Sequence, residues 1–228
     1  MATLIVSIAV LLSTAACAGA PGSGSTATGS PAASTAGSTA PTVEPITAIV
    51  VLADGVRFQA GATVRETVAY DAPADVALAA IADALGAQSG SEEHEATNHS
   101  AASTEYRFGD GVAVFEPHYG AGVTTDATIR PVWWIAVETA EVGNVRISAE
   151  GGVAVGSSVD AIAGWNDPDR MGTSTTSAGT QAELLVVAAP GSQLVPTASA
   201  AAYGVLAIAD PYPGPITMLV APSQHGGA

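Results

Sequence analysis

The sequence predicts an α+β fold, with largely antiparallel sheets and two short helices. Three turn signals between short apolar segments indicate hairpins, at Asp54-Gly55, Gly109-Asp110-Gly111 and Glu150-Gly151-Gly152. Two further segments carry helix-start signals, an Asp-Ala-Pro sequence at 71–73 and a Ser-Ser-Val-Asp sequence at 157–160. We therefore expect paired strands joined by tight turns, with one helix in each half of the chain.

Three strands and a helix open the predicted domain. The strands are Ile46–Leu52, Val56–Gln59 and Val64–Tyr70. Each is short and either β-branched or alternating in polarity, as half-buried strands are. The helix starts at Pro73, because proline suits the first helical position, and stops at Gly86. Leu78, Ile81 and Leu85 give it one apolar face.

The same rules predict the remaining strands and loops. The polar runs Ser91–Ser103 and Asn166–Thr180 are expected to be loops. The strands are Thr104–Phe108, Val112–Glu116, Val132–Val137, Val145–Ala149, Val153–Val155, Ala182–Ala188, Ala202–Ala209 and Ile216–Ala221.

A capping box predicts the second helix at Ser157–Asp160, where an acid follows a serine by three residues. Val159, Ile162 and Trp165 recur at a spacing of three and would form its apolar face. The segment Gly152–Ile162 resembles the repeat opening of tandem-repeat β-lactamase-inhibitor proteins and small envelope-assembly lipoproteins. Those families lack catalytic residues, so the resemblance implies a binding protein.

The order of elements indicates an internal duplication. A helix followed by three strands is predicted in residues 46–138 and again in residues 145–221. We therefore expect a single α+β domain at 46–221, built from two tandem repeats, and a flexible tail at 222–228.

The N-terminal residues predict export and a lipid anchor. The apolar, uncharged run 1–16 precedes Cys17, which is the only cysteine of the chain. This arrangement resembles a bacterial lipoprotein leader, which implies a signal peptide at 1–16 and a covalent diacylglycerol-type lipid on Cys17. The linker at 17–45, rich in Ala, Ser, Thr, Gly and Pro, is expected to be disordered. The domain would then be held at the extracytoplasmic face of the cell membrane.

Two alternatives to lipidation stay open. A secretory peptidase could cleave after Ala18-Gly19-Ala20. The leader could also remain as an uncleaved anchor, although about 20 apolar residues are needed to span a bilayer.

The charge of the chain restricts its partners. The net charge is −15, from 21 acidic residues against six basic ones, and all of the charged residues lie at Glu44 or later. Such a surface repels nucleic-acid phosphates and anionic lipid headgroups, so nucleic acid is excluded as a partner. A cationic partner or a divalent metal remains compatible with it.

The residue types of a metal site occur in the first polar loop. His94, Glu95 and His99 carry imidazole and carboxylate ligands, and His118 would complete a site if the fold brought it close. The five-residue spacing of the two loop histidines fits neither one helix face nor one strand face. The alternative is a solvated acidic loop with two titratable histidines and no bound cofactor.

Other chemical signatures are weak or missing. Asn166-Asp167-Pro168-Asp169 clusters oxygen ligands, but it lacks the EF-hand pattern and predicts a turn. The chain has no G-x-S-x-G elbow, no P-loop and no dinucleotide-binding glycine pattern.

Three aromatic residues are candidate partner contacts. Trp133 and Trp134 are adjacent on a predicted strand, so they point to opposite faces and at most one enters a one-sided core. The other is either covered by a further element or exposed for recognition. Tyr212 lies between two prolines at a hairpin tip, where it either contacts a partner or lies back on the sheet.

These observations predict a membrane-tethered, non-enzymatic binding or envelope-interaction module with an envelope protein as partner. The alternative is an envelope metal-binding protein or hydrolase that uses His94, His99 and His118.

Overall fold

The computed structural model describes residues 44–98, 100–127, 129–162, 171–176, 179–188 and 202–225. They belong to the second of the two units into which the chain divides, Thr42–Ala228. Within these ranges the chain forms thirteen strands, one α-helix and one 3-10 turn. The described part of the protein is therefore mostly β.

The strands are β1 Ala48–Val51, β2 Gly55–Ala60, β3 Thr63–Ala69, β4 Gly90–His94, β5 Ser103–Phe108, β6 Val112–Pro117, β7 Trp134–Val137, β8 Glu141–Val142, β9 Val145–Ala149, β10 Met171–Thr176, β11 Gly179–Ala188, β12 Ala202–Ala209 and β13 Ile216–His225. The helix α1 spans Ala74–Leu85, and the 3-10 turn spans Val159–Ala161. Strand β13 thus continues through residues that the sequence assigned to the start of the tail.

The smaller sheet has five strands, in the order β3-β2-β1-β9-β8. Strands β1 and β2 form the antiparallel hairpin that the Asp54-Gly55 turn predicted, and β3 pairs antiparallel with β2 on its other side. Strand β9 pairs parallel with β1, where Ala48 lies opposite Arg146. A pairing between such distant segments has no local sequence signal.

The larger sheet has eight strands, in the order β10-β11-β12-β13-β7-β6-β5-β4. It consists of two antiparallel meanders, β4–β7 and β10–β13. They meet where β7 pairs antiparallel with β13, with Val137 opposite Leu219.

The two sheets and the helix share one hydrophobic core. Of the predicted apolar face, Ile81 is fully buried, whereas Leu78 and Leu85 are only partly buried against the core. The other buried helix positions are alanines, among them Ala77. The largest fully buried side chains of this core come from both sheets as well as from the helix and nearby segments, and they are Trp133, Tyr70, Phe58, Phe108, Ile49, Ile81, Ile135, Ile147, Leu184, Ile216 and Leu219. Leu185 is also fully buried, but it forms a separate small cluster with Leu206.

The predicted α+β class with two helices is wrong, because only α1 forms in the described ranges. The hydroxyl of Ser157 does not cap a helix and instead accepts a hydrogen bond from the backbone N–H of Ala154, at 3.1 Å. The backbone of Gly156 and Ser157 pairs with Ile216, which holds this segment extended against β13. A single 3-10 turn follows, and Ile162 is already extended.

The predicted tandem repeats of one helix and three strands are therefore also wrong. The second half has no α-helix among its described residues, and each half contributes four strands to the larger sheet. Trp165 and the segment 166–169 lie outside the described residues.

Two further strand predictions need correction. The loop expected at Ser91–Ser103 contains most of the edge strand β4, whose residues Glu92 and Glu93 put charge on an exposed sheet edge. Strand β9 forms no ladder with the segment 153–155, since its strand partners are β8 and β1. Within the described residues, a single backbone hydrogen bond, from the N–H of Ala149 to the carbonyl of Val153, joins the two segments.

Candidate functional site

The larger sheet turns one face away from the core, and a stacked aromatic pair lies at its centre. Phe115 on β6 and Trp134 on β7 are register partners, with ring centroids 3.7 Å apart and 3° between the ring planes. The adjacent residues Val114 and Ile135 point the other way and are buried in the core. Both aromatic side chains remain partly exposed on what we call the outer face.

Two grooves flank this aromatic pair, and Phe115, Trp134 and Val220 line both of them. The histidine groove has a volume of about 700 Å³, and its other lining residues include His94, Glu95, Pro117, Tyr119, Pro131 and Pro222. The alanine groove has a volume of about 820 Å³, and its other lining residues include Glu105, Arg107, Asp110, Ala113, Ala136, Glu138 and Met218.

Two small residues form the bottom of the alanine groove. Ala113 and Ala136 are register partners on β6 and β7, two residues along each strand from the aromatic pair. Because both side chains are single methyl groups, the surface steps down beside the rings of Phe115 and Trp134. The groove is thus fixed by cross-strand register rather than by a loop.

A cluster of charged residues borders both grooves near the sheet edge. The carboxylate of Glu105 accepts hydrogen bonds at 2.6 Å from Nε of Arg107 and at 2.7 Å from Nε2 of His94. Arg107 also donates through Nη2 to Glu92, at 3.1 Å. Burial raises the pKa of Glu105, but the hydrogen bonds from Arg107 and His94 outweigh it and hold the pKa below its usual range. The carboxylate of Glu105 is therefore ionised, and each of its two oxygens accepts a hydrogen bond.

The same cluster contains two carboxylates and one imidazole, which are side chains that commonly bind metal ions. Ligand atoms of Glu92, His94 and Glu105 lie within 4.8 Å of one another. Arg107 already donates to both carboxylates, and its positive charge opposes a second cation between them. The geometry is that of an ion-pair cluster that ties β4 to β5.

The structure does not bring the predicted histidines together. His118 is exposed, and its Nε2 lies 3.0 Å from the hydroxyl of Thr104, whereas His94 bonds Glu105. Because Thr104 and Glu105 are consecutive on β5, the two histidines lie on opposite faces of the sheet. Glu95 is exposed at the rim of the histidine groove, and His99 lies outside the described residues.

The three aromatic residues that the sequence predicted as partner contacts also lie in different parts of the structure. Trp133 is fully buried, donates from Nε1 to the carbonyl of Ala69 at 3.0 Å, and packs edge-to-face on Tyr70 at 4.8 Å. Trp134 lies on the outer face. Tyr212 lines a different cleft, beside the 3-10 turn, and its backbone N–H donates to Thr180.

Several residues of the outer face were not predicted from the sequence. Phe115 could have been found, because the alternation in Val112–Glu116 places it opposite the core residues Val112 and Val114. Glu105 and Arg107 had no such signal, since a carboxylate and a guanidinium on a strand usually indicate a solvated face.

Comparison of the chain with known protein families, with curated proteins and with solved structures finds no significant match. The function must therefore be argued from the chemistry of the outer face. Cys17, the predicted lipid attachment point, lies outside the described residues.

Proposed function

We propose that this chain is a membrane-tethered, extracytoplasmic lipoprotein whose β domain is a non-enzymatic binding module. Its contact surface is the outer face of the eight-stranded sheet. The observation that supports this most directly is the partly exposed Phe115–Trp134 pair between two grooves. Aromatic anchors beside concave, partly apolar surfaces supply much of the energy of protein recognition.

The charged cluster supports binding rather than catalysis. A general base or nucleophile needs a group that is free to take up a proton or to attack. Both oxygens of Glu105 are already bonded, to Arg107 and to His94, and its lowered pKa makes it a weaker base. This carboxylate is therefore arranged to hold strands together.

The tether rests on the resemblance of the leader to those of bacterial lipoproteins. A flexible linker of about 28 residues has a root-mean-square span of about 26–32 Å, which would let the outer face reach partners in the envelope. In the described part of the chain, no helix is both long and apolar enough to cross a bilayer.

The binding surface is tested by site-specific photo-crosslinking in cells that express the protein naturally. A photoreactive residue at Met218, in the alanine groove, is expected to give a defined adduct, and Trp134→Ala is expected to remove it. The control position is Val76, which is 46% exposed on α1, away from the grooves. If position 218 gives no more adduct than position 76, the outer face is not the binding surface.

The anchor is tested separately by mass spectrometry of the mature N-terminus. We expect a diacylglycerol-type lipid on Cys17 as the first residue and release of a Cys17→Ser variant from the membrane fraction. An unmodified chain that begins after Ala20 would refute lipidation.

The ligand atoms of Glu92, His94 and Glu105 favour a second candidate function, divalent metal binding. Calorimetric titration with Zn²⁺ decides it. A metal site predicts saturable binding that His94→Ala abolishes, whereas an ion-pair cluster held by Arg107 predicts no saturable heat in the wild type.

A further inference from the structure

We propose that the partner presents an extended, cationic peptide segment to the outer face. An apolar side chain of that segment would pack on the Phe115–Trp134 pair, and a lysine or arginine two residues away, on the same face of the segment, would cross the alanine groove to Asp110 and Glu138. This inference rests on the proposed binding function and adds the chemical class of the partner to it.

The shape of the surface favours an extended chain. The two grooves lie on opposite sides of the aromatic pair along β6 and the residue before it, from Pro117 in the histidine groove to Gly111 in the alanine groove. At about 3.3 Å per residue, that stretch of strand is about 20 Å long. A peptide of about six residues in a strand-like conformation would occupy both grooves and cross the aromatic ridge once.

The charge of the surface favours a cationic occupant. The grooves are lined by four carboxylates, Glu95, Glu105, Asp110 and Glu138, and by one guanidinium, Arg107. Arg107 forms ion pairs with Glu105 and Glu92, and its positive charge also interacts at longer range with Glu138. Asp110 and Glu138 are exposed, and neither forms an ion pair with any residue that the structure describes. Two carboxylates without a close ion-pair partner, Asp110 and the more weakly compensated Glu138, thus lie at one end of the alanine groove.

The apolar floor and the acidic end of this groove together match one kind of side chain. Ala113 and Ala136 form a smooth surface for methylene groups, while Asp110 and Glu138 can accept hydrogen bonds from a charged head. Lysine and arginine combine an apolar stem with a charged tip in this way. A neutral apolar residue would leave both carboxylates uncompensated.

Other occupants fit the charge less well. A second copy of this chain would bring another net charge of −15, and nucleic acid and anionic lipid are also repelled. The chain's own linker, Ala18–Pro45, contains Glu44 as its single charged residue and no cation. A cationic segment of another protein is the occupant that complements the surface.

The proposal is tested with three synthetic hexapeptides that carry leucine at position 3 and serine at positions 2, 4 and 6, and differ only at positions 1 and 5, which lie on the same face as the leucine and are lysine, serine or glutamate. At low ionic strength we expect the lysine peptide to bind the full chain at least about tenfold more tightly than the serine peptide, and the glutamate peptide not to bind. This preference should shrink at about 0.5 M NaCl, because exposed charges are then screened within a few ångströms.

A matched pair of charge variants locates the effect. The double variant Asp110→Asn/Glu138→Gln should lower the affinity for the lysine peptide at least about fivefold and leave the serine peptide unchanged. The control Glu66→Gln/Asp83→Asn makes the same change in net charge at exposed residues of β3 and α1, outside both grooves. It should have no effect on either peptide.

Each result decides between the two levels of the proposal. Equal binding of the lysine and serine peptides, lost in Trp134→Ala, would overturn the cationic partner and leave the binding surface standing. An equal effect of the control variant would show that only net charge matters, which also overturns the inference. If no peptide binds although position 218 crosslinks to a partner, the partner does not present an extended cationic segment. If position 218 does not crosslink either, the proposal that the outer face is the binding surface is refuted as well.

Discussion

Glu105 shows at the residue scale how this protein accommodates a largely buried charge on its outer face. Its side chain is only 10% exposed, yet the carboxylate remains ionised because Arg107 and His94 donate to its two oxygens. Burial by itself would raise the pKa of this carboxyl group, and the two donors reverse that effect. The charge of Glu105 is thus part of what stabilises the β4–β5 edge.

This arrangement predicts a pH-dependent stability. Because the pKa of Glu105 is lower in the folded chain than in the unfolded chain, its contribution is fully present above the unfolded value of about 4.3 and is lost as the pH falls through the folded value. At about pH 7, Glu105→Gln should lower the free energy of unfolding by about 1–3 kcal/mol. Urea denaturation at decreasing pH should show this difference narrowing below about pH 4. Glu95→Gln, at an exposed position, is the control, and a difference that stays constant with pH would contradict the assignment.

The two tryptophans show how far local pattern can predict a site. Strand alternation predicts that Trp133 and Trp134 face opposite sides, and the structure has them so. Trp133 is the one that enters the core, where it packs directly on Tyr70, a residue far away in the sequence. The stacking partner of Trp134, Phe115, comes from another strand in the same way. Such pairings require the strand order, which residue patterns alone do not contain.

The helices illustrate the same limit at the scale of elements. The α1 helix has local signals that agree with its tertiary contacts, since it begins directly after Pro73, which is its N-cap rather than its first helical residue, and Ile81 of its predicted apolar face enters the core. The segment after Ser157 has a capping signal, but β13 binds its backbone in an extended form. Tertiary pairing overrides local propensity when the competing helix would be short.

Strand β12 gives a prediction at the element scale. A Cβ atom built on Gly204 would overlap the carbonyl oxygen of Val187 and lie 2.9 Å from the carbonyl carbon, at the bulge where β11 passes β12. Gly204→Ala should therefore lower the free energy of unfolding by about 1–3 kcal/mol, as overpacking does. Chemical denaturation followed by tryptophan fluorescence measures the change.

Gly90→Ala is the matched control for that substitution. Gly90 also lies in a strand of the larger sheet, but a Cβ atom there would meet no atom within 4 Å. Its substitution should change the stability by no more than about 0.5 kcal/mol. Equal losses in the two variants would show that the close approach to Val187 does not matter.

At the scale of the whole molecule, the net charge of −15 should make stability depend on ionic strength. Like charges repel one another more in the compact chain than in the unfolded chain, and salt screens that repulsion. We expect the unfolding midpoint to rise by about 2–4 °C between low and moderate NaCl, which corresponds to about 1 kcal/mol. Choline chloride should give the same rise if the effect is screening. A midpoint that does not rise would contradict net repulsion.

The parallel pairing of β1 with β9 also determines when the smaller sheet can close. Strand β1 begins at Ala48, but the strand that covers its open edge begins at Val145. A nascent or truncated chain that ends before Val145 can form the first hairpins yet leaves the edge of β1 unpaired, ready to pair with other chains. The fold thus depends on the contact between β1 and β9, whose residues are far apart in the sequence. We therefore expect this topology to fold slowly and its partial chains to aggregate.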